Sequence, residues 1–411
     1  MNNGKRKPAS TAAASGSGTP SAPKRAKVES KTKTARLVSD EEKVKKDAAK
    51  AKAAQIKTVS TMINSRVVNE KMTTKYDVAD AKQLAAGVAR LKSGHPVVFC
   101  NLITADDAAG LISKFWDYME EACAGLKRAD PTTWTNERWP GIFSVGILKC
   151  YGIGQSAFMW AVRTLPRIRT IYQVIYGTDK LYTSFDSCGV IRGAEYDVAF
   201  NHSWLHVDQN LKSRPAMDLS FQGALNLVAI GEDAAEHGSF MYVPGSATEY
   251  KTNFDAGLGT AFLGTGTKQY CPLPLDHSVY AGIADGTKSL CALSALNVGD
   301  FTMWPSPLVH AARMPSKSTL KSQLRRLVAY VTLQPFSALG GVKDERELSA
   351  KKRAAAASAA TTSHWPCDEP TTNQLPRPRH KSMQPVVTPK SCNKTQFSPN
   401  EAALVDGTSP A

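Results

Sequence analysis

From residue 181 to residue 333 the apolar residues fall into short runs, at 181–191, 198–208, 219–230, 238–243, 260–263, 289–296, 301–304 and 326–333, split by Gly, Pro and Asp. Most of these runs are shorter than a core-filling helix, and the residues between them make turns. Many short strands in succession predict layered β structure, a β-sandwich or jelly roll. Helical patterns come earlier. Val97-Val98-Phe99-Cys100 reads as a strand, and Thr104 then stands as an N-cap ahead of Asp106 and Asp107. Ala108, Leu111, Ile112, Phe115, Trp116 and Met119 follow on one helical face, which predicts a helix packed on the core. A second helix is expected over 156–176, interrupted at Pro166. The fold class expected is α+β, a jelly-roll core with flanking helices.

The chain has 411 residues and a net charge of +15. Residues 1–57 hold 15 basic and 5 acidic residues, so most of the excess lies there and not in the folded middle. This argues against a nucleic-acid-binding core. Residues 1–57 are therefore read as a disordered basic tail, with a short charged helix over 39–56. Within it, Pro23-Lys24-Arg25-Ala26-Lys27-Val28 has the form of a nuclear localisation signal, implying an import receptor as partner and a nuclear location. The globular domain is expected to span 82–340. The Ala-, Lys-, Pro- and Thr-rich stretch 341–411 is expected to be a disordered C-terminal tail. No apolar run reaches the roughly 18–20 residues of a membrane helix, and the Lys-rich N-terminus lacks the apolar segment of a secretory signal. The eight cysteines are scattered without a C-x-x-C pair, as free thiols would be.

Chemistry is concentrated in Trp204-Leu205-His206-Val207-Asp208-Gln209. In a strand, residues two apart share a face, so the imidazole of His206 and the carboxylate of Asp208 project together. His310 follows the apolar stretch Phe301-Thr302-Met303-Trp304, and the turn and strand beginning Val298-Gly299-Asp300-Phe301 are expected to carry it. Two histidines and one carboxylate on one side of a metal leave positions open, the facial arrangement of non-haem Fe(II) oxygenases. Arg325 and Arg326 open the next strand, where a guanidinium can grip the far carboxylate of a dicarboxylic co-substrate.

In order along the chain, Gly94-His95-Pro96-Val97-Val98-Phe99, Tyr176–Asp186, the His-x-Asp motif, Phe221–Leu227, Gly238–Ser246, His310 and Arg325 resemble the phytanoyl-CoA dioxygenase family of Fe(II)/2-oxoglutarate-dependent oxygenases. The resemblance covers roughly residues 82–336 and neither tail. It implies a double-stranded β-helix (cupin-like) core. His206, Asp208 and His310 would bind iron, and Arg325 would hold the distal carboxylate of 2-oxoglutarate. The chemistry implied is a dioxygenase reaction: decarboxylation of 2-oxoglutarate to succinate coupled to hydroxylation of an unactivated C–H, with ascorbate as an accessory reductant. Two features depart from the family pattern. Pro315, Lys317 and Ser318 lengthen the loop before the arginines, which leaves Arg325 against Arg326 open; Arg325 is favoured here because it shares parity with Leu327 and Ala329. The stretch from Thr248 to Asn297 is long, and a lid or substrate loop is expected there.

Other residues have plainer readings. Gln222 either faces the co-substrate or makes a core hydrogen bond. His202 is read as a loop histidine, and His237 and His277 as solvated ones. Gly152–Gln155 and Gly264–Thr267 lack the Lys-Ser/Thr of a phosphate loop and are read as turns. Lys351-Lys352-Arg353 is read as a solvated run. A small-molecule substrate is favoured. The alternatives are the same chemistry on a nuclear protein or nucleic acid, and a jelly-roll binding module without catalysis.

Overall fold

The structure, a computed structural model, describes residues 25–140, 146–193, 205–209, 220–255, 271–315, 323–338, 344–366 and 386–410. Contacts divide the chain into two units, residues 1–55 and 56–411. In the first, the described residues belong to helix α1 (Arg25–Arg66), and every described side chain from Glu42 to Gln55 is exposed.

The second unit continues with β1 (Val67–Lys71), β2 (Tyr76–Asp77), α2 (Ala81–Lys92), β3 (Val97–Cys100), α3 (Ala105–Ala122) and β4 (Ile147–Leu148). Next come α4 (Ala157–Arg163), α5 (Pro166–Tyr176), β5 (Tyr182–Thr183), β6 (Cys188–Ile191), β7 (His206–Val207), β8 (Phe221–Asn226), α6 (Ala234–His237) and β9 (Ser239–Tyr242). Then follow α7 (Ser246–Asp255), β10 (Cys271–Pro272), α8 (Ser278–Asp285), β11 (Leu290–Ser294), β12 (Phe301–Pro305), β13 (His310–Arg313), β14 (Arg326–Val331) and β15 (Leu333–Gln334). Two helices, α9 (Glu345–Ala357) and α10 (Pro399–Asp406), complete the described elements.

The strands form a six-stranded sheet, ordered β1-β11-β9-β13-β7-β10, and a seven-stranded sheet, ordered β2-β3-β12-β8-β14-β6-β4. From β6 to β9, and again from β11 to β14, consecutive strands alternate between the two sheets. The sheets meet through their inner faces: Trp304 of β12 packs on Phe240 of β9 and on His310 of β13, with ring centroids 4.7 and 5.4 Å apart.

The other face of the seven-stranded sheet is covered by helices. Phe99, Leu225, Phe301, Met303, Leu327 and Ala329 share one buried cluster with Leu84, Phe115, Phe158 and Ile171 of α2, α3, α4 and α5. The central strands are therefore buried on both faces. Each fully buried Phe or Leu in such a cluster contributes about 1.5–3 kcal/mol. Close packing fixes Gly223 of β8, since a Cβ there would lie 2.0 Å from Cζ of Phe301. The cap of α3 forms as expected: Thr104 Oγ accepts from the Asp107 amide, and the Asp107 carboxylate accepts from the Thr104 amide. Pro166 divides α4 from α5, also as expected.

Four expectations need correction. The second unit begins well before residue 82: Ile63 is buried in one cluster with residues of both sheets, and β1 pairs parallel with β11. Residues 25–57 are helical rather than structureless, and the helix is longer than 39–56. Its Ala, Lys and Glu content favours helix even with little apolar surface to dock.

The stretch after 341 is ordered where it is described. Trp365, Leu348, Ala356 and Leu404 are buried, and Lys352 is buried rather than solvated, its Nζ donating to the carbonyls of Thr183 and Pro366 at 2.5 and 2.8 Å. A few well-spaced apolar residues anchor a segment whose average composition is that of a tail. Finally, 248–297 is largely framework: it supplies β10, α8 and β11, and β10 pairs with β7. Residues 256–270, Gly264–Thr267, His202 and the cluster's Pro23 and Lys24 lie outside the described residues. The Gly152–Gln155 segment is a turn followed by a single 3-10 turn, as expected.

Candidate metal centre

His206 opens β7 and Asp208 follows it by one residue beyond the strand. β13 lies beside β7, and His310 is the direct antiparallel partner of His206. His310 therefore opens β13, one strand later than the Val298–Phe301 turn predicted; that turn leads into β12. The register brings together side chains more than a hundred residues apart. One ligand atom from each of His206, Asp208 and His310 lies within 4.8 Å of the others, and all three residues are buried. His206 Nε2 is 3.3 Å from Asp208 Oδ1, and His310 Nε2 is 3.0 Å from Asp208 Oδ2.

The surroundings orient the three donors. His310 Nδ1 is 2.8 Å from the carbonyl of Leu308. A carbonyl only accepts, so Nδ1 carries the proton, and in the neutral ring Nε2 keeps the lone pair that a cation would take. Gln222 donates from Nε2 to Asp208 Oδ2 at 2.7 Å. The Asp208 amide donates to Ser306 O at 2.9 Å, which ties the residue to the turn between β12 and β13. His310 is also flanked by the rings of His206 and Phe240, at 4.4 and 5.3 Å.

Burial is the largest influence on Asp208 and raises its pKa, but the imidazoles of His364, His206 and His310 outweigh it and hold the carboxyl well below its usual range. Burial, reinforced by His206, holds His310 below the ordinary imidazole value. A carboxylate beside a neutral imidazole is the protonation state that a cation requires.

The two arginines separate by face. Arg326, Val328 and Tyr330 alternate with Leu327, Ala329 and Val331, and the latter three join the helix-side cluster. Val328 packs instead in the cluster that holds Trp304 and Ala224. Parity with Leu327 and Ala329 thus marks the outer face, and it is Arg326 that shares the inner one. Arg325 precedes β14. Its amide donates to Ile191 O, and its guanidinium lies within reach of the Glu236 charge. Arg326 is only 5% exposed, and its Nε has no hydrogen-bond partner among the described residues. Trp304 Nε1 is likewise buried without one. Tyr330 is within electrostatic reach of both Arg326 and Asp208.

Of the remaining histidines, His237 is half-buried against the carbonyl of Arg325, and His277 is buried as the N-cap of α8, accepting from the Val279 amide. His277 is therefore not solvated, and His237 is only partly so. His364 went unnoticed in the sequence. Its Nε2 lies 3.0 Å from the main-chain oxygen of Asp208. Nothing in Ala360-Thr361-Thr362-Ser363-His364 distinguishes it.

No protein-family model matches the chain, and no curated protein sequence matches it. Solved structures with a related backbone include the epimerase SnoN in complex with Fe3+, alpha ketoglutarate and nogalamycin RO, at 16% identity, TM-score 0.41, covering 62% of this chain and 84% of that one. EctD from S. alaskensis with 2-oxoglutarate and 5-hydroxyectoine gives 14% identity and TM-score 0.39 over 66% of this chain and 81% of that one. GIG2 (DUF1479) from Candida albicans gives 13% and 0.43 over 74% of each. Likeness at these scores carries no argument for fold or chemistry, which rest on the residues above.

Proposed function

We propose that this chain is an Fe(II)/2-oxoglutarate-dependent dioxygenase of the phytanoyl-CoA dioxygenase type, built on a double-stranded β-helix, and that it hydroxylates an unactivated C–H of a small molecule. The observation that carries the reading is the buried His206–Asp208–His310 set on neighbouring positions of β7 and β13. Two imidazoles and one carboxylate on one side of a cation form the facial set that leaves positions for a chelating co-substrate and oxygen. The alternation of strands between the sheets supports the double-stranded β-helix.

The donor set fits iron, with His206 Nε2, His310 Nε2 and a carboxylate oxygen of Asp208 as ligands. The lining fits a dicarboxylate: Arg326 on the inner face has an Nε–H awaiting an acceptor, and so does Trp304 Nε1 beside His310. Iron with 2-oxoglutarate and oxygen would supply an oxidant strong enough for an unactivated C–H, with succinate and carbon dioxide as co-products. The chain's own part is positional. Leu308 O fixes the His310 tautomer, Gln222 fixes the Asp208 carboxylate, and Phe240, Trp304 and Val328 keep the interior dry.

The test is succinate formation from 2-oxoglutarate by purified protein with Fe(II) and ascorbate, beside a His206→Ala control. Turnover lost in the control supports the reading. No turnover and no metal bound at saturating Fe(II) would favour a binding module. A second reading keeps the oxidant and moves the substrate to a nuclear protein or nucleic acid. It is supported by the exposed lysines of α1 at 43, 45, 46, 50 and 52 and by the adjoining import-type cluster. Removal of residues 1–57 would then abolish turnover of that substrate and nuclear accumulation together.

A further inference from the structure

Asp208 is held at three points, and the third comes from the segment after α9. Thr361 Oγ accepts from the Gly154 amide at 3.0 Å. The Thr362 amide donates to Phe185 O at 2.8 Å, and the Phe185 amide donates to Thr362 Oγ at 3.1 Å. Lys352 fastens the same segment from behind, donating to Pro366 O and lying 4.1 Å over the Phe185 ring. Trp365 is buried. This anchored segment delivers His364 to the metal centre, with Nε2 3.0 Å from Asp208 O. The acceptor is a carbonyl, so the ring nitrogen donates.

We infer that His364 is a positioning residue of the metal centre, acting through the main chain of Asp208; the inference rests on the metal-site reading above. The ligand carboxylate can turn about its own side-chain bonds. Gln222 limits that turning, but the main chain beneath must also be fixed. Its amide is tied to Ser306 and its carbonyl to His364. Outer partners of this kind are worth roughly 10- to 100-fold in metal affinity. The segment after α9 thereby becomes part of the functional site and not merely a tail.

The test uses the full chain and Co(II), whose visible absorption reports ligand geometry. Titrations compare the wild type with His206→Ala, His364→Ala and His364→Gln, each first shown to be folded by thermal melting. The expected result is that His364→Ala binds Co(II) at least about 10-fold more weakly with an altered spectrum. His364→Gln, which keeps an N–H donor, should recover both. Three results would overturn the inference. Wild-type affinity and spectrum in His364→Ala, with binding lost in His206→Ala, would leave the metal centre standing and remove His364 from it. Weak binding that glutamine does not rescue would mean that the ring only fills space. No Co(II) binding by the wild type would remove the metal-site reading itself.

Discussion

The assignment of the co-substrate arginine can be decided by two single substitutions, Arg326→Met and Arg325→Met. Arg326 is 5% exposed on the inner face, where solvent and salt screen a charge pair poorly. Truncating one partner of a desolvated, hydrogen-bonded charge pair costs about 2–5 kcal/mol. At 1.4 kcal/mol per decade, Arg326→Met should weaken 2-oxoglutarate binding by roughly 30-fold to a few thousand-fold. Without 2-oxoglutarate the stability effect runs the other way. Nε of Arg326 is buried with no hydrogen-bond partner, and an unmet group of that kind costs about 1–3 kcal/mol. An unbranched apolar side chain of similar length removes that cost, so the variant should melt no lower than the wild type. Arg325 lies on the Glu236 side, and its substitution should cost stability and leave 2-oxoglutarate affinity near wild type. Calorimetric titration with 2-oxoglutarate in the presence of Co(II), with melts of both variants, reads all four quantities. Loss of binding in Arg325→Met with binding kept in Arg326→Met would refute the face assignment and the reasoning from parity.

Three further outcomes follow from the same geometry. Gln222→Leu removes the donor to Asp208 Oδ2 while filling similar space, and should weaken Co(II) binding by about 10- to 100-fold in an absorption titration. Gly223→Ala places a Cβ 2.0 Å from the Phe301 ring and should lower stability by about 1–3 kcal/mol in urea unfolding, with succinate formation reduced only as far as folded protein is lost. His277 accepts from the Val279 amide, and burial lowers its pKa below the unfolded value. Its contribution is therefore full above that unfolded value, near pH 6.5, and falls as the pH drops towards the folded pKa, because the unfolded chain takes up the proton first. His277→Asn keeps an acceptor that does not titrate and should flatten the stability profile between about pH 7.5 and 5.5; an unchanged slope would assign the pH dependence to another group.

What could be read from the sequence was whatever local spacing encodes. Thr104 with Asp107 is a cap because both partners lie within one turn. His206 and Asp208 share a site because strand geometry places them two residues apart on one side. Arg325 against Arg326 stayed open because β14 is buried on both faces. In such a strand Leu327 and Val328 are equally apolar, and no alternation says which of them faces the site. The resemblance pointed to both arginines, and the two faces of β14 are told apart only by what each packs against in the folded chain.

The segment after α9 escaped for a different reason. Disorder was inferred from average composition, whereas order there depends on a few contacts: the Lys352 ammonium on two carbonyls, Thr362 paired to Phe185, and one buried tryptophan. None of these has a short-range signature, because each partner lies more than 150 residues away or is a main-chain carbonyl. Two of the three anchors of Asp208, the main-chain oxygen of Ser306 and the ring of His364, are of this kind, whereas Gln222 lies only 14 residues away. A ligand set can be spelled by a motif. Much of the rigidity that a metal centre would need here comes from distant parts of the chain, so substitutions far from the His-x-Asp motif, in a stretch that reads as tail, should change metal affinity.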